Sequence, residues 1–295
     1  MAVDATKAQI YWESMYPFIH LGPLTLGTFG LMLWLAAVAA MLTLHANYQR
    51  NGMKDADALN VVALVTIAGV LGAKAWHELQ DLPMLKLALH QIAAPGWKRP
   101  WDLTLGFLHL FQAGFAWYGG MIAAIVALVV LGWTMKLRPL RMLDLTAPAA
   151  AIGYGIGRLG CLTSGDGDYG IATKLPWGVA FPNGLVPTAP GVHVHPTPIY
   201  ELLFSVLLGW FLWKLGKKAL PVGWVTGMYL LWSGVGRALV EMIRINPKIY
   251  WPHTQYATSN AQAAAVGSAV VGALMMAAVK GRPKVGLPAA ESTKS

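Results

Sequence analysis

Residues 153 to 170 read Gly-Tyr-Gly-Ile-Gly-Arg-Leu-Gly-Cys-Leu-Thr-Ser-Gly-Asp-Gly-Asp-Tyr-Gly. The stretch begins inside an apolar run that is long enough to cross a bilayer, and it ends in a glycine-rich turn. Arg158 lies close to the end of the run, and Asp166 and Asp168 lie in the turn. A charge within a membrane span is costly and usually faces a partner or a watery cavity. We therefore interpret this segment as the rim and floor of a functional site.

The composition is that of an integral membrane protein. Hydrophobic residues make up 56% of the 295 residues and charged residues only 12%, against about 25% in soluble proteins. Runs such as 24–44 and 118–132 show no polar face, which argues against a soluble protein with a large core. One cysteine, Cys161, excludes an intrachain disulfide. The net charge of +9 is scattered over short loops, which favours contact with lipid headgroups over nucleic-acid binding.

The pattern of apolar segments predicts an all-α fold: a polytopic protein whose residues 1–295 form a single transmembrane domain with about seven transmembrane helices. Each segment is close to the roughly 20 residues that cross the hydrocarbon core. The expected spans are 21–44, 59–77, 107–132, 143–162, 199–213, 222–243 and 261–279, with outer segments at 78–106 and 163–198. Segments 84–94 and 246–258 look interfacial. Residues 1–16 lack the features of a signal peptide, so we expect the first span to remain in the mature protein.

The basic residues predict the orientation in the membrane. With the N-terminus outside, the inner loops and the tail contain twelve of the 22 Lys and Arg, and the outer segments contain seven. The positive-inside rule therefore predicts an outer N-terminus and a cytoplasmic C-terminus. Four tryptophans fall in or beside the outer segments, as aromatic belt residues do: Trp97, Trp101, Trp177 and Trp251.

Several spans carry ionisable groups. Arg237 and Glu241 are four residues apart and share one helix face, with Arg244 about one turn further outward. Lys74 and Glu78 repeat the spacing of four in the second span. Each pair is either a self-neutralising ion pair or part of a site. Four spans together contribute groups that can bind an anion or move a proton, and packing alone explains that coincidence poorly.

Two further motifs leave alternatives open. The fifth span opens with His-Pro-Thr-Pro-Ile-Tyr-Glu at 195–201. His195 fits an ordinary helix start, and Glu201 is favoured near a helix N-terminus and can simply be a cap. Tyr118, in Trp-Tyr-Gly-Gly-Met at 117–121, either packs or presents its hydroxyl to a cavity where helix backbones come close.

The glycines of 153–170 suggest close packing and a bend. G-x-G-x-x-G at 155–160 matches a dinucleotide fingerprint, but no β-strand precedes it, so we reject that interpretation. Gly153 and Gly157 form a small-x-x-x-small face for a neighbouring helix. A bend would expose backbone N–H groups that can hold a phosphate together with Arg158, and the alternative is helix packing followed by an ordinary turn. Four glycines are expected to let the backbone leave helical geometry: Gly160, Gly165, Gly167 and Gly170.

The motifs, taken in order, resemble the prolipoprotein diacylglyceryl transferase family over about residues 17–280. Each match is weak alone, whereas all of them in sequence are specific. The matches are Gly30 to Met32, Leu-Gly-Ala-Lys at 71–74, Tyr-Gly-Gly-Met at 118–121, Gly-Arg-Leu-Gly at 157–160 with Gly170, His-Pro-x-x-x-Tyr-Glu at 195–201 and Gly-Arg-x-x-x-Glu-x-x-Arg at 236–244.

The resemblance implies a multi-pass transferase of the bacterial inner (cytoplasmic) membrane. Such an enzyme transfers the sn-1,2-diacylglyceryl group of phosphatidylglycerol to the lipobox cysteine thiol of prolipoproteins and releases glycerol phosphate, the first step of lipoprotein maturation. The implied partners are phosphatidylglycerol, lipobox-bearing precursors and membrane lipid, with no nucleic acid. No metal or organic cofactor is implied, and His193 with His195 is too small a set for a metal site.

The resemblance also implies residue roles. Arg158 and Arg237 would hold the lipid phosphate, since preorganised arginines suit a reaction that builds charge on a departing phosphate. Glu241 would orient Arg237 or the attacking group. The other implied substrate-binding residues are Tyr200 and Glu201, which would shape the cavity, and Lys74, Gly160, Gly170, His195 and Arg244.

The chain departs from the family pattern where a proton acceptor is wanted. Thiolate is the nucleophile in sulfur chemistry, so the acceptor thiol must lose a proton. Tyr118 stands where the family commonly has histidine, and a phenol has an ordinary pKa of about 10. The acceptor is then either Tyr118, made more acidic by nearby Lys or Arg, or one of Asp166 and Asp168 in a turn that is one residue longer than usual. Cys161, Lys74 and Ser233 replace the usual asparagine, arginine and tyrosine.

Other functions remain open from the sequence. A transporter or lipid-binding membrane protein can use the same charged cavity without making covalent bonds, although one broken segment is found here and transporters often show two in matching halves. A transferase with altered donor or acceptor, or a catalytically silent relative, is the third possibility, because the usual histidine is absent.

Overall fold

The computed structural model describes residues 17–22, 24–53, 56–80, 116–247, 249–250 and 257–285, together with Leu82, Pro83 and Lys86. Within these ranges the chain is mainly α-helical, as predicted. The long helices are α1 (Thr28–Arg50), α2 (Ala58–Gln80), α3 (Trp117–Thr134), α4 (Pro139–Ser164), α5 (Thr197–Leu215), α6 (Trp224–Glu241) and α7 (Asn260–Val279). Short strands form antiparallel pairs: β1 (Phe18–Leu21) with β2 (Leu24–Gly27), β3 (Leu220–Pro221) with β6 (Lys284–Val285), and β4 (Ile249–Tyr250) with β5 (Ala257–Thr258).

Five of the described helices are long and apolar enough to cross a membrane: α1, α2, α3, α5 and α7. They expose large apolar side chains such as Trp34, Ile67 and Leu207, which is the surface that a lipid environment favours. Helices α4 and α6 are not among the five, because polar residues, including Arg158 and Arg237, lower their hydropathy. The coarse prediction of a polytopic membrane protein is therefore confirmed.

Some helix bounds differ from the expected spans. Residues 18–21 and 24–27 pair as the strands β1 and β2, so the first helix covers 28–50 rather than 21–44. Gly22, at a φ of 61°, adopts the left-handed geometry that a hairpin turn needs. Helix α4 begins earlier than expected, at Pro139, and α6 ends at Glu241, so Arg244 lies beyond the helix. Most of 78–106 and residues 107–115, with Trp97, Trp101 and Trp251, lie outside the described residues.

The chain divides into two compact units, one of Met1–Ala58 with Leu143–Ser295 and the other of Leu59–Met142. In the second unit α2 and α3 approach each other at glycines. A Cβ atom added to Gly119 would lie 2.2 Å from the Cβ atom of Trp76, and one added to Gly72 would lie 2.3 Å from that of Ala123. Only glycine fits at these two positions, so the helix backbones come close beside Tyr118, as one reading of the motif expected.

In the first unit α4 packs against α1 and is joined to α6. A Cβ atom on Gly153 would lie 3.2 Å from the Cβ atom of Ala40, so the small-residue face of α4 meets α1 as predicted. Near the other end of α4, the buried Asp144 carboxylate accepts hydrogen bonds from the backbone N–H groups of Gly223 (2.6 Å) and Thr226 (2.8 Å). Asp144 thereby caps the N-terminus of α6 from outside that helix, where a negative charge is stabilising.

Candidate active site

The carboxylate of Glu201 on α5 joins arginines from two other helices. Arg237 of α6 donates a hydrogen bond from Nη1 to Oε1 of Glu201 (2.6 Å), and Nε of Arg158 on α4 lies 3.5 Å from Oε2. Tyr154, one turn before Arg158, donates its hydroxyl to Oε1 (2.7 Å), and its ring lies under the Arg158 guanidinium. The two arginines singled out from the sequence therefore meet at one buried carboxylate.

Glu201 is not a helix cap, although its position near the start of α5 allowed that interpretation. The N-cap residue of α5 is Pro196, and no side-chain hydrogen bond caps this helix. Its Oε1 atom accepts hydrogen bonds instead from side chains of α4 and α6, and the residue is only 4% exposed. A carboxylate so deeply buried requires such partners, since an unpaired charge would be strongly destabilising.

Glu241 holds the opposite edge of Arg237. Its Oε2 lies 3.0 Å from Nη2 of Arg237, so the predicted pair on one face of α6 is formed. Its other oxygen, Oε1, accepts hydrogen bonds from the hydroxyl of Ser259 (2.7 Å) and from the amide of Asn246. Arg237 is thus held between two carboxylates, one on its own helix and one on α5.

Asp168, which lies in the turn after α4, contacts the guanidinium groups of Arg158 and Arg244. Its Oδ2 accepts from Nη1 of Arg158 at 2.7 Å, and its Oδ1 contacts Nη2 of Arg244. Gly165 and Gly167 have φ values of 57° and 89°, a left-handed geometry that favours glycine, so these two glycines bend the chain as predicted. Gly160 does not, because α4 continues to Ser164 and Gly160 packs inside it against Phe29.

Arg244 reaches the cluster from the segment that follows α6. Gly170 and Arg244 form a backbone bridge, and a Cβ atom on Gly170 would lie 2.7 Å from the carbonyl oxygen of Ile243. Gly170 therefore allows a close approach of two chain segments. Arg244 is buried, its Nη1 lies 3.5 Å from Oε2 of Glu201, and its Nε and Nη1 make no hydrogen bond within the described part of the chain.

His195 and Tyr200 lie beside the cluster at the start of α5. The backbone carbonyl of His195 accepts from the N–H of Gly170 (2.9 Å), which ties this segment to the turn. The indole of Trp177 donates to the Tyr200 hydroxyl (2.8 Å), which lies 3.1 Å from Nδ1 of His195. Indole is a donor only, so the hydroxyl that accepts from it is free to donate to Nδ1. In that arrangement His195 carries its proton on Nε2.

Two predicted site residues, Lys74 and Tyr118, belong to the second unit. The ammonium group of Lys74 pairs with Glu78 at 2.6 Å, so this i, i+4 pair is formed as expected. The ring of Tyr118 packs edge-on against Trp117, with ring centroids 5.4 Å apart. The membership of Lys74 and Tyr118 in the active site stays a prediction.

Cys161, Asp166 and Asp168, which differ from the family pattern, lie close together. The thiol sulfur and one oxygen of each carboxylate all lie within 4.8 Å of one another. Burial raises the pKa of the Asp166 carboxyl above its usual range. Sulfur and carboxylate oxygens can bind a metal ion, but here the guanidinium groups of Arg158 and Arg244 already bind Asp168 and repel a cation.

The sequence interpretation missed three residues of the site. Tyr154 had a usable signal, because it precedes Arg158 by four residues and so shares its helix face. Ser259 and Asn246 had no such signal. Both bind Glu241 from segments that follow α6, and the position of these segments depends on the path of the chain after that helix.

Comparison with known proteins gives a consistent family assignment. The family model described as prolipoprotein diacylglyceryl transferase matches residues 17–278. A Clostridium tetani protein named phosphatidylglycerol--prolipoprotein diacylglyceryl transferase is 33% identical over 75% of this chain and 81% of its own length. A protein of the same name from Geobacter sulfurreducens is 30% identical over 77% of this chain and 81% of its own length. A Clostridium perfringens protein with that name and the number 2 is 28% identical over 75% of this chain and 80% of its own length. The chain therefore belongs to the prolipoprotein diacylglyceryl transferase family.

Proposed function

We propose that this protein transfers the diacylglyceryl group of phosphatidylglycerol to the lipobox cysteine thiol of prolipoproteins. The observation that carries the proposal is the convergence of three arginines, Arg158, Arg237 and Arg244, on the buried carboxylate of Glu201. A cluster of guanidinium groups held by carboxylates is suited to a phosphodiester, because arginine presents several donors in a planar fork that matches phosphate oxygens.

The reaction requires that charge develop on the phosphate. The thiolate sulfur attacks the glyceryl carbon that bears the phosphate ester, the carbon–oxygen bond breaks, and its electron pair leaves with glycerol phosphate. Donors fixed in advance where this charge appears lower the barrier. We assign this stabilisation to Arg158 and Arg237, with Glu201 and Glu241 holding Arg237 from two sides.

The remaining roles follow from position. Arg244 offers buried donors without hydrogen bonds in the described chain, so we assign it to the headgroup as well. Gly170 lets its segment approach the arginine, and we assign His195 and Tyr200, which lie beside Trp177, to substrate contact. Gly160 acts indirectly, by seating α4 against Phe29.

For the thiol proton we propose Tyr118 as the acceptor, with Lys74 beside the same site. The family pattern has a histidine at the position of Tyr118, and the paired glycines that follow the tyrosine bring α2 and α3 close together. In this role the phenol oxygen of Tyr118 accepts the proton that the lipobox thiol loses when it attacks.

We also propose that the protein is a single transmembrane domain in the bacterial inner membrane, with seven spans, the N-terminus outside and the C-terminus in the cytoplasm. The charge bias of the loops supports this orientation. Asn183 and Lys218 are both exposed and fall on opposite sides in this arrangement. In a Cys161→Ser background, an impermeant maleimide added to intact spheroplasts should label Asn183→Cys and leave Lys218→Cys unlabelled; the reverse pattern would contradict the orientation.

The activity itself is tested with purified protein, phosphatidylglycerol and a lipobox peptide. Mass spectrometry should detect a thioether-linked diacylglyceryl peptide together with free glycerol phosphate. Arg158-dependent lipid binding without any product would instead indicate a lipid-binding or transport protein. Complementation of a strain depleted of its own transferase tests donor, acceptor and orientation together.

A further inference from the structure

The described arginine cluster is already neutral before a lipid is considered. Three guanidinium groups, those of Arg158, Arg237 and Arg244, contact three carboxylates, those of Asp168, Glu201 and Glu241. A phosphodiester brings one further negative charge. A buried charge without compensation is strongly destabilising. Binding of the headgroup therefore requires that one carboxylate leave its arginine partners.

Asp168 is the carboxylate best able to move. Its side chain is 26% exposed, compared with 4% for Glu201 and 1% for Glu241. Glu201 and Glu241 are also held by hydroxyl or amide donors, namely Tyr154 for the first and Ser259 and Asn246 for the second. Among the described residues, the side-chain oxygens of Asp168 bind the two arginines alone.

The backbone of Asp168 is fixed even though its carboxylate can turn away. Its N–H donates to Oδ1 of Asp166 (3.2 Å), and its carbonyl accepts from the hydroxyl of Thr197 (2.6 Å). Rotation about the side-chain bonds would therefore release the arginines without unfolding the turn.

We propose that Asp168 acts as a built-in competitor for the lipid phosphate: it holds Arg158 and Arg244 in position and is displaced by the phosphodiester of phosphatidylglycerol. This inference rests on the proposed function and adds to it a residue that sets headgroup affinity. The arginines are preorganised at all times, because one anion replaces another. When glycerol phosphate has formed, the returning carboxylate helps to expel the product.

The competition predicts that removal of the Asp168 charge strengthens lipid binding. Asp168→Asn keeps the shape of the side chain but binds the arginines only weakly. We expect it to bind dioctanoyl phosphatidylglycerol, a short-chain soluble probe, about tenfold more tightly than the wild type, which corresponds to about 1.4 kcal/mol. Because the product is then released more slowly, KM and kcat should both fall.

The experiment is a calorimetric titration of the full-length protein in detergent with this probe, paired with the transfer assay. Asp168→Ser is a second neutral variant in case the asparagine protein does not fold, and both should bind more tightly. Asp168→Glu keeps the charge and should remain within about threefold of the wild type. Asp166→Asn is the matched control on the same turn, since the amide oxygen of the asparagine can still accept from the Asp168 N–H. This variant should change the affinity for the probe less than Asp168→Asn does.

The outcomes separate the two proposals. If the wild type transfers the lipid and binds the probe, but the neutral Asp168 variants bind it equally or less tightly, the competitor role is wrong and the proposed function stands. If the wild type neither binds the probe nor forms product, the proposed function fails, and the competitor role fails with it.

Discussion

Arg158 and Arg237 bind the same carboxylate, Glu201, although they lie on different helices, α4 and α6. Glu201 lies on a third helix, α5, so one side chain connects three helices. This arrangement keeps two like charges close together in a buried place. Each guanidinium group repels the other, and the shared carboxylate compensates both.

Replacement of Glu201 by glutamine should destabilise the protein. The amide has the same size but leaves three guanidinium groups against two carboxylates in the described cluster. Loss of one partner from a buried ion pair typically costs about 3–5 kcal/mol, so we expect a clearly lower Tm by thermal unfolding in detergent. Glu201→Asp keeps the charge, so its Tm should fall less than that of Glu201→Gln. Equal losses in both variants would show that packing, not charge, makes Glu201 necessary.

Replacement of either central arginine by lysine should reduce turnover while the fold is retained. Lysine keeps the positive charge but cannot span two acceptors at once, as Arg237 does between Glu201 and Glu241. Loss of one preorganised donor typically lowers kcat about 10²–10³-fold. The measurement is kcat for Arg158→Lys and Arg237→Lys in the peptide assay. Lys218→Arg, at an exposed position three residues beyond the end of α5, is the control. Wild-type turnover in either variant would remove that arginine from the mechanism.

Tyr118→Phe should slow the transfer to a cysteine peptide by about 10²–10⁴-fold, the usual contribution of a general base. The defect should nearly disappear with a selenocysteine peptide, because a selenol is already ionised near neutral pH and needs no proton acceptor. His195→Gln is the companion variant, since Nδ1 of His195 lies 3.1 Å from the Tyr200 hydroxyl. If the selenocysteine peptide rescues His195→Gln but not Tyr118→Phe, the proton acceptor is the histidine.

Gly119→Ala should destabilise the contact between α2 and α3. The added Cβ atom would lie 2.2 Å from the Cβ atom of Trp76 and 2.3 Å from the carbonyl oxygen of Gly72, so a helix has to shift. Overpacking of this kind costs about 1–3 kcal/mol. Gly267→Ala is the matched control, because nothing lies within 4 Å of its added methyl group. Thermal unfolding should show a lower Tm for Gly119→Ala and an unchanged Tm for Gly267→Ala. Equal Tm values for the two variants would contradict the close packing.

The local features of the site could be predicted from the sequence. Helical spacing put Arg237 and Glu241 on one face, and the structure shows that pair at 3.0 Å. The bend after α4 was predicted from its glycines, and Gly165 and Gly167 adopt the positive φ values that make it. Such features depend on residues a few positions apart, for which chain geometry decides the contact.

The contacts between helices could not be predicted in the same way. Glu201 is 43 residues from Arg158 in the numbering, and nothing local distinguishes its ion pairs from an ordinary helix cap. The contact of Arg244 with Asp168 depends on where α6 ends and on how the segment around Gly170 pairs with it. The β1–β2 hairpin was missed because its apolar residues continue directly into those of the helix that follows.

The cap that Asp144 places on α6 limits how the protein can open. Asp144 joins α4 to α6 near one end, and the Arg158–Glu201–Arg237 contacts join them about 21 Å further along, at 1.5 Å per residue. Because α4 and α6 are joined at two separated levels, they cannot rotate apart about a single contact. The room that the proposed headgroup site needs between α4 and α6 therefore has to come from rotation of side chains, Asp168 first among them, while the two helices keep their positions.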